Sequence, residues 1–257
     1  MKFVQYSISN RIGMITMNRP EKRNALSHEL VGELKEAFRQ AENDDQVKVI
    51  ILQAKGEAFC TGADLEHLQQ LQHFSFEQNV ADSEHLKELF LLIYTLKKIV
   101  IAEVQGHALA GGCGLATVCD FTFAAPEAKF GYTEVRIGFI PAIVMIFLLR
   151  KIGEAKAKQL LLTGALVLAQ EAQQMGLINY VVERGKLHDE VLSFAHQLIQ
   201  SNSAYAMNIT KQMIAKVQSL SLEEGLTFAA EMNARARASE DCKKGIAAFL
   251  NKEKLVW

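Results

Sequence analysis

The sequence predicts an α/β core followed by a helical C-terminal part. Three observations carry that prediction. β-branched runs alternate with helix-period segments as far as Ala124, glycine-containing turns follow strands and open helices, and the pattern from Gly153 onward is almost wholly helical. A chain of 257 residues, 49% of them hydrophobic, can bury a substantial core without disulfides or metal, and its apolar content excludes disorder. The 28 Lys+Arg against 29 Asp+Glu argue against a protein that coats nucleic-acid phosphates.

The elements follow in order. Phe3 to Ser7 and Ile12 to Met17 read as strands of a hairpin turning at Ser9-Asn10-Arg11. Ser27 can cap a helix whose apolar positions Leu30, Leu34, Phe38 and Ala41 recur every three or four residues. Val47 to Leu52 is β-branched and suits a strand with a buried face. The Gly-flanked loop from Lys55 to Gly62 leads into a short helical segment from Asp64. A longer helix is expected from Ser83 to Lys97, with Leu86, Leu89, Phe90, Ile93 and Leu96 as its stripe. Ile99 to Val104 is a second strand running into a Gly-rich turn, Gly106 to Gly112, followed by a helix at Cys113 to Val118 and a strand at Phe121 to Ala124. Helices are then expected at Ala155 to Thr163, Ala169 to Met175, Leu187 to Ser201, Ala204 to Val217, Leu222 to Ala238 and Asp241 to Lys252. No Pro/Ser-rich linker separates them from the core.

Cys60, Cys113, Cys119 and Cys242 fall at no zinc or redox spacing and read as reduced structural thiols. The opening residues Met1 to Tyr6 show neither an apolar leader core nor an Arg-rich pattern. The longest apolar run, Phe139 to Leu149, falls short of the about 20 residues a bilayer requires, so a cytoplasmic location is expected.

Two turns could carry chemistry. Cys60-Thr61-Gly62-Ala63-Asp64 and Ala110-Gly111-Gly112-Cys113-Gly114 each follow a strand and open a helix, where unpaired N–H groups can bind an anion or a developing oxyanion. The same glycines also suit plain turns. The second turn lacks the third glycine of a dinucleotide fingerprint, and there is no phosphate-loop motif.

The chain resembles the crotonase family, the enoyl-CoA hydratase/isomerase superfamily, over essentially its whole length. The segments that carry the resemblance are Met17 to Leu26, Ala58 to Leu65, Gly106 to Asp120, Phe130 to Gly138 and Gly245 to Lys252. The resemblance implies a crotonase-like spiral of ββα units over residues 1–190 and a helical extension over 191–257 that forms trimers or dimers of trimers. It implies a coenzyme A thioester as ligand, with the coenzyme part of the substrate and no separate cofactor or metal. The backbone N–H groups of Ala63 and Gly111 would hold the thioester oxygen. Lys22, Ala25, Asp64, Leu65, Glu66 (through its backbone), Gly114 and Lys252 would line the substrate. Lys22 and Lys252 offer cations to phosphate, although surface lysines are commonly just solvated.

Hydratases of this family usually carry two glutamates. Glu134 matches one, and Gly114 stands where the other is expected. A carboxylate facing an apolar pocket has its pKa raised by desolvation, which suits proton transfer near neutral pH. One glutamate fits two reactions. A Δ3,Δ2-enoyl-CoA isomerase needs a single acid/base. Against this, the block Glu134 to Ala142 and the ending Phe249 to Trp257 resemble bacterial methylglutaconyl-CoA hydratases, so hydration of a 2-enoyl thioester, with space beside Gly114 for a branched acyl group, is the first expectation. Other chemistry of the family, decarboxylation or hydrolysis, and a non-catalytic scaffold are the remaining alternatives. Glu103 is either a substitute acid or a salt-bridge partner, His107 either a substrate contact near the second turn or, as is expected first, a structural hydrogen-bonding group, and Asp120 a structural acid beside the core.

Overall fold

The computed structural model describes residues 1–257. β1 (Val4–Ser9) and β2 (Ile12–Met17) pair antiparallel, from Val4↔Met17 to Ser9↔Ile12. The hairpin turns through Asn10 and Arg11, both at positive φ, whose twist matches that of the flanking strands. α1 (His28–Asn43) is capped as expected: the Leu30 N–H donates to the Ser27 hydroxyl, and Leu30, Leu34, Phe38 and Ala41 are fully buried. β3 (Val49–Ala54) starts later than Val47, because the Val47 N–H closes a turn onto the Asp44 carbonyl.

β4 (Ala58–Cys60) and α2 (Leu65–Leu71) come next. α3 (Phe76–Thr95) begins well before the expected Ser83, because Ser75 and Gln78 form a capping box ahead of its apolar stripe. Then follow β5 (Ile99–Val104), β6 (His107–Leu109), α4 (Gly111–Val118), β7 (Phe121–Ala124) and β8 (Lys129–Gly131). A 3-10 turn at Glu134–Ile137 precedes α5 (Ala142–Thr163), which is kinked at Gly153 (φ 75°, ψ 168°). The first half of α5 falls in the apolar run whose periodicity does not separate helix from strand. β9 (Val167–Leu168), α6 (Ala169–Met175), β10 (Tyr180–Val181), α7 (Leu187–Ser201), α8 (Ala204–Val217), α9 (Leu222–Ala238) and α10 (Glu240–Leu250) complete the chain.

Two sheets result, ordered β1-β2-β3-β5-β7-β10 and β4-β6-β8-β9. β3, β5 and β7 lie in the larger sheet while their successors β4, β6 and β8 lie in the smaller, each pair followed by helix. This is the spiral of ββα units. Alternation along the parallel strands sorts the core. Ile50, Leu52, Val100, Ala102 and Val104 face the cluster containing α1, α3 and α4. Val49, Ile51, Ile99 and Ile101 face the other way, onto Leu187, Val191, Ala195 and Leu198 of α7. The 190/191 position therefore lies inside a helix that packs on the sheet.

Lysines from elsewhere close several helix C-termini, where unpaired carbonyls accumulate. Lys98 donates to the Ala41 carbonyl at the end of α1, Lys151 to those of Thr117 and Cys119 after α4, and Lys48 to those of Ile199 and Asn202 after α7. The last helices are less well covered. α9 buries no residue, while Leu222, Leu226, Phe249 and Leu250 are exposed. No helix is long and apolar enough to cross a membrane.

Candidate active site

The two glycine turns lie against each other. Asn24, fully buried, fixes the preceding loop: its Oδ1 accepts from the Arg19 N–H and its Nδ2 donates to the Lys55 and Ala58 carbonyls. Leu26 then bridges to Ala63, its N–H donating to the Gly62 carbonyl (2.7 Å) and its carbonyl accepting from the Asp64 N–H (3.1 Å). Gly62 (φ 91°) meets the second turn so closely that a Cβ there would lie 2.8 Å from the Ala110 Cβ and 3.5 Å from the Gly111 nitrogen. A Cβ on Gly112 would lie 2.1 Å from the Cys60 carbonyl oxygen. Glycine is required at both positions for the turns to touch.

Ala110 occupies φ 50°, ψ −124°, a conformation that costs an L-residue about 1–3 kcal/mol. It is held there because its N–H donates to the Gly131 carbonyl (2.8 Å) and its carbonyl accepts from the Gly114 N–H (3.0 Å). The strain lies immediately before Gly111, the first residue of α4. Within the chain neither the Gly111 N–H nor the Ala63 N–H has an acceptor. Two free donors, one carrying the N-terminal dipole of a helix, thus flank the contact between the turns.

Glu134 opens the 3-10 turn that follows β8. Its Oε2 is buried without a hydrogen-bond partner, and burial raises its pKa above the ordinary glutamate range against the weaker opposing pull of its own N–H. No charged neighbour contributes to that shift. A carboxyl group so placed holds its proton more tightly than an exposed glutamate does.

The profile of the family described as enoyl-CoA hydratase/isomerase matches residues 7–257. The chain belongs to that family. It is 40% identical over 241 residues to a relative from Thermus thermophilus whose name assigns it provisionally as an enoyl-CoA hydratase, covering 94% of this chain and 95% of that one. It is 34% identical over 246 residues to the crotonyl-CoA hydratase of Syntrophomonas wolfei, covering 95% and 93%. The crystal structure of enoyl-CoA hydratase from Mycobacterium smegmatis superposes with a TM-score of 0.93 at 29% identity, covering 99% and 98%.

Within this member of the family, the other expected residues separate into distinct groups. Asp64 is 3% exposed and structural by its contacts. It caps α2, accepting from the Glu66 and His67 N–H groups, and accepts from Arg19 Nη1 at 2.5 Å. Burial opposes its ionisation, but these donors together hold its pKa below the usual carboxylate value. The Glu66 N–H is thereby occupied, and its side chain pairs with Lys22 across an exposed 2.6 Å bridge. Ala25 is buried under Arg19, which donates to its carbonyl, whereas Leu65 at the start of α2 is 77% exposed. Lys252 (φ 56°) follows α10, and no hydrogen bond or ion pair joins it to the Lys22 loop.

The space expected beside Gly114 is absent. A Cβ there would lie 2.2 Å from Val144 Cγ1 and 3.0 Å from Val144 Cβ, because α5 sends Val144 into that position. Nothing in the sequence pairs residues 114 and 144; the packing of α4 on α5 does. Glu103 is not a substitute acid at the turns. It shares the β5 face of Ile99 and Ile101, towards α7, where it pairs with His188 Nδ1 at 3.0 Å. His107 Nδ1 accepts from the Lys129 N–H, and Asp120 accepts from the Val100 N–H and Lys211, the structural roles expected of both. Leu26, Arg19 and Ala110 shape the site without having stood out in the sequence: Ala110 because its strain belongs to the backbone, Leu26 and Arg19 because their bonds are made to distant residues.

Proposed function

We propose that the chain is a 2-enoyl-CoA hydratase with Glu134 as its single side-chain acid/base and the Ala63 and Gly111 N–H groups as its oxyanion hole. The observation that carries this is two backbone donors without acceptors on turns that touch, together with a half-buried glutamate whose Oε2 is buried without a partner. The thioester carbonyl would accept from both donors. Glu134 takes a proton from water as the water oxygen bonds to C3, and negative charge gathers on the thioester oxygen. A proton returned from Glu134 to C2 completes the addition of one water. Coenzyme A arrives as part of the substrate, and Lys22, by exchanging Glu66 for phosphate, and Lys252 supply cations to it.

One observation favours a second reading. No other carboxylate contributes to the environment of Glu134, and a lone acid/base can move a proton from C2 to C4, as a Δ3,Δ2-enoyl-CoA isomerase does. Mass spectrometry of crotonyl-CoA, 3-methylglutaconyl-CoA and a 3-enoyl-CoA, each with the protein and its Glu134→Gln variant, separates the two. A gain of one water, lost in the variant, is the expected result. Isomerisation at unchanged mass overturns it, and binding without turnover would indicate a scaffold. The branched 3-methylglutaconyl group loses the support it drew from open space at Gly114.

Assembly into a homotrimer or hexamer belongs to the same proposal. Its support is the exposed apolar set Leu222, Leu226, Phe249 and Leu250 on helices that bury almost nothing in a single chain. Sedimentation equilibrium returning a monomer would reject it.

A further inference from the structure

A cavity of about 800 Å³, a volume typical of small-molecule sites, opens at the far end of α4 from Gly111. Thr117, Val118 and Cys119 line it, whereas Ala63, Gly111 and Glu134 do not, and α4 sets its two ends about 10 Å apart. The walls are mostly apolar, with Tyr94 from α3, Phe147 from α5, Leu198 from α7 and Met207 and Ile214 from α8. Along α8 the lining runs from Ala206 to Ala215, about 13 Å of helix. Ile214 is 55% exposed, so the cleft is open to solvent on that side.

Four charged side chains line this cavity: Asp120, Arg150, Lys151 and Lys211. Two of them cancel. Lys211 uses all three of its N–H donors, on Asp120 and on the Ile93 and Lys98 carbonyls. The other two, neighbours on α5, have no carboxylate partner. Lys151 donates to the Thr117 and Cys119 carbonyls at 2.9 and 3.1 Å, which leaves one N–H of its ammonium group unused. Arg150 donates only to the neutral side chains of Gln218 and Ser219. Burial lowers the Lys151 pKa from the ordinary lysine value, opposed only in part by nearby acidic groups, Asp120 among them. The lining thus pairs apolar walls with two cations that nothing in the chain compensates.

We propose that this cavity is a second binding site, for a medium-chain aliphatic carboxylate whose head is held by Lys151 and Arg150 and whose chain lies along α8 between Met207 and Ile214. The head accepts the unused N–H of Lys151 and the guanidinium donors of Arg150, bonds in which both partners are charged. The chain displaces water from the apolar walls, and the lining of α8 is long enough for an extended eight-carbon chain. Charge decides the class of ligand: an alkyl ammonium would meet two uncompensated cations, and a neutral chain would leave them as they are. The site shares no residue with the one assigned to the thioester, so the proposal stands or falls apart from that reading.

Trp257 lines the cavity and is the only tryptophan of the sequence, so its emission reports occupancy. The full-length protein is titrated with octanoate, octan-1-ol and octylammonium, which share one chain and differ in the charge of the head. Octanoate is expected to change the emission saturably, with a Kd about tenfold below that of octan-1-ol, and octylammonium to bind more weakly than the alcohol. Lys151→Met and Arg150→Met should each reduce the preference for octanoate over octan-1-ol. Lys151→Met also uncaps α4, whereas Arg150 bonds only to exposed side chains, so Arg150→Met keeps the test intact if the first variant fails to fold; thermal melting reports on both. Equal affinity for octanoate and octan-1-ol overturns the proposal, as does unchanged octanoate binding in folded Arg150→Met protein. Octanoate affinity should be the same in Glu134→Gln, and a loss there would place the ligand at the thioester site instead. Emission that follows protein concentration and not octanoate would assign the cleft to a contact between copies of the chain, and overturns the proposal equally.

Discussion

Glu134 and Asp120 are both carboxylates withdrawn from water, and their surroundings treat them in opposite ways. Asp120 Oδ2 accepts from the Val100 N–H and from Lys211 Nζ, each at 2.7 Å, and Lys211 is itself bound to the Ile93 and Lys98 carbonyls. Glu134 has a buried oxygen that accepts from nothing. A buried polar group without a partner is uncommon because desolvation penalises it, and it persists where a ligand or a reaction supplies the missing bond. The comparison separates a carboxylate that joins elements from one whose buried oxygen joins none.

The largest expected effect is on Glu134. Glu134→Gln should lower kcat by about 10²–10⁴-fold, the usual span for a lost general acid/base, in a steady-state assay. The same variant tests the desolvation argument through stability. Burial raises the folded-state pKa, so the native chain keeps a proton that the unfolded chain releases near 4.5. Wild-type stability therefore falls as pH rises from that value through the raised one, and the deficit is complete above it. Glu134→Gln should melt higher than wild type at neutral pH, with the difference closing in acid. A difference that grows in acid would contradict the burial argument.

Next comes the donor pair. Gly111→Pro removes the N–H at the first position of α4, where helices accept proline, and its Cβ would meet the flexible end of Leu26 at 3.1 Å and the Gly62 Cα at an ordinary 3.9 Å. A loss of about 10²–10³-fold in kcat with the fold retained by circular dichroism is expected. A folded and fully active variant would remove Gly111 from the oxyanion hole.

On the structural side of the comparison, Asp120→Asn leaves the Lys211 charge buried without its counter-ion. Breaking such a pair costs about 3 kcal/mol or more, measurable by urea unfolding, while turnover per folded molecule should stay near wild type. If turnover collapsed without loss of stability, the two carboxylates would no longer be distinct in kind. The smallest effect is expected from Lys22→Ala. The exposed pair with Glu66 contributes little stability, so melting should barely move while KM for the thioester rises.

Much of this was legible in the sequence, and the particular elements show why. α1 announces itself through apolar periodicity and its Ser27 cap, α6 and α7 through apolar periodicity, and β5 and β7 through short β-branched or aromatic runs between polar bounds. β4, β6 and β8, three residues each, are too short to show an alternation and stayed hidden in loops. Ala63 and Gly111 could be named because their glycine-bearing turns resemble family motifs. The expectation of space at Gly114 failed because the absence of a side chain in sequence is not the absence of one in space.

By itself the sequence determined the alternating core, the capped helices, the two turns and the presence of one glutamate where two were expected. These are properties of local pattern: periodicity, capping hydroxyls and the conformational freedom of glycine act over a few neighbouring residues. Tertiary structure decided which groups keep partners. The turns that carry the Ala63 and Gly111 donors meet only in three dimensions, Glu103 is turned away by the parity of β5, and Val144 closes the gap at Gly114 because α5 packs on α4. Hydrogen-bond satisfaction and packing depend on what arrives from distant parts of the chain, and close-packed interiors leave no place to be read as empty until every neighbour is in position.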